Sequence, residues 1–334
     1  MKQKNDNSMI ISKTPCRVSF FGGGTDYPNW YREFGGRVLA TTIDKYVYVS
    51  CRRLPPFFEH RLRLSYSKIE HCRSAAELQH PTAREVLRYL GVNEGLEIHY
   101  DGDLPSRSGV GSSSAFTVGL FNALATLMGQ DVTPKELAAK SIEIEQEMVK
   151  ECVGSQDQVS AAYGGFNIID FCTDGEIRVQ PVPINRDRLG ELEDCLMLFF
   201  TGIVRTASTI ASSYVPDLLG RKRQLSRMYE MVEDAVGVIS DSSDLDDFGV
   251  LLGEMWLEKR SLGEGIATDE IDRIYSQALK AGALGGKLIG AGGGGMLLLY
   301  VPSTFQHSVK QALKDLIHIP FRFDPLGSQI IYRG

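Results

Sequence analysis

Paired cysteines are missing from this chain of 334 residues: its six (Cys16, Cys51, Cys72, Cys152, Cys172 and Cys195) never stand closer than the twenty positions between Cys152 and Cys172. That spacing excludes a CxxC redox pair or a zinc knuckle, and scattered thiols suit a reducing compartment. A cationic surplus is missing too, since 42 Asp and Glu outnumber 36 Lys and Arg and leave a formal net charge of −6. Nucleic-acid binding needs a clustered cationic face, so no nucleic-acid partner is expected. No apolar run approaches the roughly 20 residues that span a bilayer. The first eight residues, MKQKNDNS, are polar and lead into ISKTPCRVSF with no stretch like a secretory signal. The cytoplasm is the expected compartment, with small molecules as partners and no membrane.

What is present is ordinary globular composition, 43% hydrophobic and 23% charged, in a chain long enough for two cores. Clusters of β-branched and aromatic residues at 45–53, 61–68 and 96–100 predict strands of one sheet. Residues 82–90 read as a short amphipathic helix, and 112–128 as a buried one with small and apolar residues on most faces. A hairpin is expected over 166–181, turning at Asp174-Gly175. The polar run 185–194 is the expected linker, dividing the chain into domains at 1–188 and 189–334. In the second half, helical patterns cover 221–240, 247–262 and 268–281, followed by a glycine-rich turn, a strand at 296–301, a helix and a final strand. The expected class is α+β.

Several segments carry candidate chemistry. Residues 104–116, LPSRSGVGSSSAF, set glycines and serines between a strand and a buried helix. Glycines let the backbone approach a phosphate, and the unpaired N–H groups and dipole at the helix start attract it. The hydroxyls of Ser112, Ser113 and Ser114 suit a magnesium ion; the plainer alternative is a serine-rich cap after a flexible turn. The run GAGGGG at 290–295 matches a dinucleotide fingerprint in letters only, because MLLLYV after it reads as a strand where that fingerprint opens a helix. The run GALGGKL at 282–288 is no Walker loop: its glycines are one residue too close, and Leu288 stands where Ser or Thr would hold magnesium. Four consecutive glycines then imply close approach of the backbone to a ligand or to the first loop, with a tight interdomain turn as the alternative.

Carboxylates complete the set. On a helix predicted over 135–150, Ala138, Ile142, Glu145 and Val149 share one face, which puts Glu145 in an apolar stripe. A carboxylate there needs a metal, with the serine hydroxyls nearby, or a buried arginine. At 154–158, GSQDQ reads as a helix start with Ser155 as cap and Asp157 in the first turn, where the dipole favours negative charge. Asp157 is either an ordinary helix-start residue or a candidate to accept a proton from an attacking hydroxyl. At 15–26, PCRVSFFGGGTD places Arg17 in a strand and Asp26 after three glycines, suited to sugar hydroxyls or simply to a capped turn.

Together, PCRVSFFGGGTD at 15–26, PSRSGVGSSSAF at 105–116 and GGKLIGAGGGG at 285–295 resemble, in order, the three motifs of the GHMP kinases. The runs RVSFFGGGTDYPNWY (17–31) and VGSQDQVSAAYGGFN (153–167) resemble the bacterial D-glycero-D-manno-heptose 7-phosphate kinases within that superfamily. The resemblance implies a two-domain fold, the N-terminal domain like ribosomal protein S5 domain 2 and the C-terminal one ferredoxin-like. It implies ATP and Mg²⁺, and transfer of a phosphoryl group to the anomeric hydroxyl of a sugar phosphate. Carried over by position, Pro105, Gly109, Val110, Gly111, Ser112, Ser113, Ser114, Gly292 and Gly293 would bind the nucleotide, with Ser113 and Glu145 as magnesium ligands. Asp157 would be the catalytic aspartate with Arg17 beside it. Gly23, Gly24, Thr25 and Asp26 would meet the sugar, and Arg205, in TGIVRTAS at 201–208, its phosphate. Two departures stand out. Gly23-Gly24 replaces the Glu-His that galactokinases carry before Thr-Asp, which argues against galactose, and Ser114 replaces the usual alanine.

Overall fold

The computed structural model describes residues 8–55, 57–92, 95–203, 207–240 and 243–334. Strand β1 (Met9–Phe21) begins with alternating burial and ends buried on both faces, the pattern of a strand that becomes covered on its second side. Helix α1 (Pro28–Phe34) starts on Pro28 and leads into β2 (Gly36–Arg53). Next come β3 (Leu62–Ser65), β4 (Ile69–Cys72), α2 (Pro81–Tyr89) and β5 (Leu96–Gly102). Helix α3 (Ser112–Leu127) follows, then α4 (Pro134–Glu143), which Thr133 and Glu136 open with a reciprocal capping box. The unit continues with α5 (Gln156–Tyr163) and a hairpin of β6 (Phe166–Phe171) and β7 (Ile177–Pro181).

The long β2 organises this half. It pairs antiparallel with β1, with β5 through its second part and with β6 through its first, while β3 joins β5 in parallel and carries β4. Helix α3 lies across β1 and β2. Its buried surface runs almost all round, in keeping with its apolar sequence.

The second half opens with α6 (Arg186–Asp194) and β8 (Leu196–Phe200). Helices α7 (Ala207–Tyr214), α8 (Lys222–Ser240), α9 (Asp246–Arg260) and α10 (Asp269–Lys280) come before the strands β9 (Gly285–Leu288) and β10 (Met296–Tyr300). Helix α11 (Gln306–Ala312) and β11 (Ile317–Ile319) close a second sheet in the order β11-β8-β10-β9, antiparallel throughout. That order is the ferredoxin-like one. Strand β12 (Gln329–Arg333) then crosses back and pairs with β1, so the chain's last strand belongs to the first sheet.

Two expectations need correction. Residues 185–194 are no open linker: Asn185 caps α6 by accepting from the Arg188 N–H at 2.9 Å, and Leu192 is buried. The run is polar because most of the helix faces solvent. The helix predicted over 135–150 is not uniformly α either, since Ile144–Met148 forms a π-helical turn in which the Val149 N–H reaches the Ile144 carbonyl. One extra residue per turn there breaks the 3.6-residue arithmetic.

Glycines permit the closest packing in the second half. Helix α9 lies on β9 with Gly249 and Gly253 facing Gly285, and a Cβ on Gly285 would fall inside contact distance of the Gly249 carbonyl. Gly285→Ala is therefore expected to destabilise the fold by about 1–3 kcal/mol through forced separation of helix and strand, read as a lower midpoint in chemical denaturation. An unchanged midpoint would show that the contact yields freely.

Candidate active site

The first loop owes its path to alternating left-handed residues. Arg107, Gly109 and Gly111 have φ of 61°, 88° and 72°, and Gly111 immediately precedes α3. Such alternation curls the backbone so that N–H groups converge, the arrangement that holds anions, and the helix start adds its dipole. The loop is braced on both sides. The Arg17 N–H donates to the Val110 carbonyl at 2.9 Å, and the Met296 N–H donates to the Ser108 carbonyl at 3.0 Å. A Cβ on Gly290 would meet Gly109 backbone, and one on Gly295 would meet the Ser108 carbonyl. The glycine run at 290–295 is thus packed on the first loop, one of the two readings its sequence allowed.

Arg17 and Asp157 form a two-pronged ion pair: Nε donates to Oδ1 and Nη2 to Oδ2, each at 2.8 Å, while Nη1 donates to the Gly109 carbonyl. The arginine side chain is 4% exposed and the aspartate 24%. Both line the cavity, with the aspartate the more open of the two. Asp157 stands in the first turn of α5, as its sequence implied.

Glu145 lies inward at 1% exposure. Its partners are neutral: Ser114 Oγ at 2.9 Å, Thr117 Oγ1 and Gln158 Nε2. No arginine reaches it among the described residues. Burial pushes its carboxyl up to about 7, against the pull of the hydrogen bonds from Thr117, Ser114 and Gln158. A hard cation would offset that burial, and a carboxylate with a serine hydroxyl on the adjoining helix is a fitting donor set for Mg²⁺. Ser113, unlike its two neighbours, is exposed and lines the cavity.

The cavity has a volume of about 760 Å³. At one end stands an aromatic wall in which Phe116 meets His80 and Tyr100 with ring centroids 5.0 and 5.2 Å apart, and Tyr66 meets His80 edge-on. The other end is polar and buried. Asp26, 1% exposed, accepts from the Gly24 N–H at 2.9 Å and the Gln156 N–H at 3.3 Å. Burial raises its pKa, and those two N–H groups oppose the rise. Nearby, Ser19 Oγ and Gln156 Oε1 are buried without a hydrogen-bond partner among the described residues. Beneath them lie Lys259 and Lys287. Lys259 Nζ donates to the carbonyls of Leu288 and Gly290, and Lys287 Nζ to that of Phe20 at 2.7 Å.

Of the residues expected at the site, Arg17, Gly23, Gly24, Asp26, Gly109, Gly111, Ser112, Ser113, Ser114 and Asp157 line this one cavity, with Glu145 behind it bonded to Ser114. Pro105, Val110, Thr25, Gly292 and Gly293 are not on its wall. Thr25 is wholly buried and bridges Gly22 and Arg37, and the Gly293 N–H is spent on the Ile266 carbonyl. Gly290 and Ala291 of the same run face the cavity instead. Arg205 lies outside the described residues. Sequence reasoning missed Ser19, Gln156, Lys259, Lys287 and the aromatic wall. Ser19 was within reach, since it shares a strand face with Arg17 two positions earlier.

With the geometry established, comparison with known proteins gives a consistent result. Residues 77–165 match the family model of the GHMP kinases N terminal domain, and 231–315 that of the GHMP kinases C terminal domain. A Campylobacter jejuni protein described as D-glycero-alpha-D-manno-heptose 7-phosphate kinase is 31% identical over 317 residues, 91% of this chain and 93% of that protein. A bifunctional fucokinase/GDP-fucose pyrophosphorylase of Arabidopsis thaliana is 25% identical, over 85% of this chain and 29% of its own length. Among solved structures, a D-glycero-D-manno-heptose 1-phosphate kinase from Bacteroides thetaiotaomicron superposes with a TM-score of 0.78 at 23% identity, covering 97% of this chain and 99% of that one.

Burial and the field of Arg17 lower Lys259 to about 7, with Asp26 opposing. Free lysine titrates near 10.4, so between roughly pH 7 and 10 the unfolded chain binds the extra proton and stability rises with pH. Below pH 7 the cost of the buried charge is fully present. Lys259→Met removes it. In denaturant titrations the variant's stability relative to wild type should be highest at pH 6 and fall steadily toward pH 10; a pH-independent difference would refute the shifted lysine.

Proposed function

This chain belongs to the GHMP kinases and is an ATP-dependent phosphotransferase acting on a hydroxyl group, and on that premise we propose that it phosphorylates the anomeric hydroxyl of D-glycero-D-manno-heptose 7-phosphate. The observation that carries this reading is the position of Asp157, between the phosphate-type loop and a polar end with unpaired Ser19 Oγ and Gln156 Oε1. Buried polar atoms without partners are costly unless a ligand supplies them, and a polyhydroxylated sugar offers both donors and acceptors. The heptose kinase named among the relatives supports the choice of sugar. In this reading residues 1–188 form the nucleotide-binding domain and 189–334 the C-terminal one, apart from the returning β12.

Each residue then has a task. The aromatic wall takes the adenine by stacking. The N–H groups around Gly109 and Gly111 take the phosphates, and Ser113 with Glu145 would hold Mg²⁺, whose charge would neutralise the β and γ oxygens. Asp26 accepts from sugar hydroxyls. Asp157 accepts from the attacking hydroxyl and receives its proton as the bond to phosphorus forms, while Arg17 fixes the carboxylate and offsets developing negative charge. The bond between the β,γ-bridging oxygen and the γ-phosphorus breaks, and ADP leaves.

Asp157→Asn is expected to lower turnover about 10²- to 10⁴-fold with ATP affinity nearly intact; full turnover would remove Asp157 from the chemistry. ADP release measured with the heptose 7-phosphate, the unphosphorylated heptose, fucose, galactose and mevalonate tests the acceptor. Turnover should be greatest with the first, and preference for any other names a different sugar kinase. Sugar binding without ADP release would mark a sensor on a kinase scaffold.

A further inference from the structure

The chemistry above leaves two cations of the cavity wall, Lys68 and Arg107, and one carboxylate, Glu151, unused. Arg17 is taken by Asp157 and Gly109, while Lys259 and Lys287 are buried on backbone carbonyls. Arg107, in the phosphate loop, is exposed and lines the cavity, and its guanidinium makes no hydrogen bond or ion pair among the described residues. Glu151, at the end of the π-helical segment, lines the same cavity half-buried and is likewise without a bonded side-chain partner. The two sense each other: burial raises the Glu151 carboxyl and the field of Arg107 lowers it.

Both are presented by strained backbone. Arg107 has φ of 61°, as does Lys150 immediately before Glu151, and these are the only non-glycine residues with positive φ among those described. The left-handed region is unfavourable for an ordinary residue. A glycine at 107 would hold the same turn without that cost, as Gly109 and Gly111 do. The turn alone therefore does not account for the arginine, and an outlier at a cavity mouth directs attention to its side chain.

We infer that Arg107 is a binding residue for a phosphate group entering the cavity. The inference rests on the reading of the cavity as a phosphotransfer site. Two phosphates reach that site, the nucleotide's and the acceptor's, and a planar guanidinium suits either. Glu151, a carboxylate on the same wall, competes with the incoming anion.

The test uses Arg107→Gly, Arg107→Lys and Glu151→Gln, with MgADP binding by titration calorimetry and KM for ATP and for the heptose 7-phosphate. Arg107→Gly should weaken one ligand about tenfold, without lowering the thermal midpoint, since glycine accepts the backbone angle. Arg107→Lys should recover part of the loss. Glu151→Gln should tighten the same ligand a few-fold by removing the competitor. Weakening confined to MgADP and ATP assigns the nucleotide phosphate, and weakening confined to the acceptor assigns the acceptor's. Unchanged affinity for both, or a fall in kcat alone, overturns the inference. So does loss of stability that Arg107→Lys leaves uncorrected. Because MgADP binding needs no acceptor, failure here is distinguishable from a wrong choice of sugar.

Discussion

The ion pair between Arg17 and Asp157 joins three segments that lie far apart in the chain: the middle of β1, the start of α5 and, through the Gly109 carbonyl, the phosphate loop. A buried pair of this kind contributes little net stability, because desolvation offsets most of its Coulomb energy. Its effect is on position. Two parallel hydrogen bonds fix the plane of the carboxylate, and the third fixes its height relative to the glycine loop. The strand is itself held along its length by β2 and on its other edge by β12. The return of the chain's last strand to the first sheet thus bears directly on the acid's placement.

A second constraint is the stacking of backbone on backbone. Gly290 rests on Gly109, Gly295 on Ser108, and the intervening hydrogen bond from Met296 to Ser108 makes the second domain a wall behind the first loop. Side chains on either loop would force them apart. The glycine-rich run at 290–295 has a large entropic cost, and its use here is mostly to brace, with Gly290 and Ala291 alone of that run facing the cavity.

How much of this could be read beforehand depended on how local each signal was. The helix over 112–127, the hairpin at 166–181, the strand after the glycine run and the inward face of Glu145 all follow from periodicity within one element, and all are present. The path of β12 was not legible, because the sequence of an edge strand does not say which sheet it joins. The π-helical turn escaped for a related reason: it is set by packing of Ile144 and Glu145 against α2 and α3, which no propensity records. Thr25 and Gly293 were placed at the site by position in a motif, and their hydrogen bonds, which no motif records, turn inward to Arg37 and Ile266. Lys259 and Lys287 were not singled out beforehand, because only the packing of α9 on β9 brings them under the cavity.

Those lysines bear on what the acceptor end recognises. Asp26 is raised by burial and both lysines are lowered by it; Asp26 opposes the lowering of each lysine, whereas Lys259 adds to that of Lys287. Every one is also tied to the backbone, Asp26 to the N–H groups of Gly24 and Gln156 and the lysines to carbonyls. Burial lowers both lysines, Lys259 to about 7, so an anion arriving beside them near neutral pH would meet reduced positive charge. The floor is therefore polar rather than cationic, suited to hydroxyls, and phosphate recognition falls to the loop N–H groups and to cations nearer the rim. On the proposed function, the division places neutral sugar chemistry deep in the cavity and charge neutralisation at its mouth, with Asp157 at the boundary where a hydroxyl would become a phosphate ester.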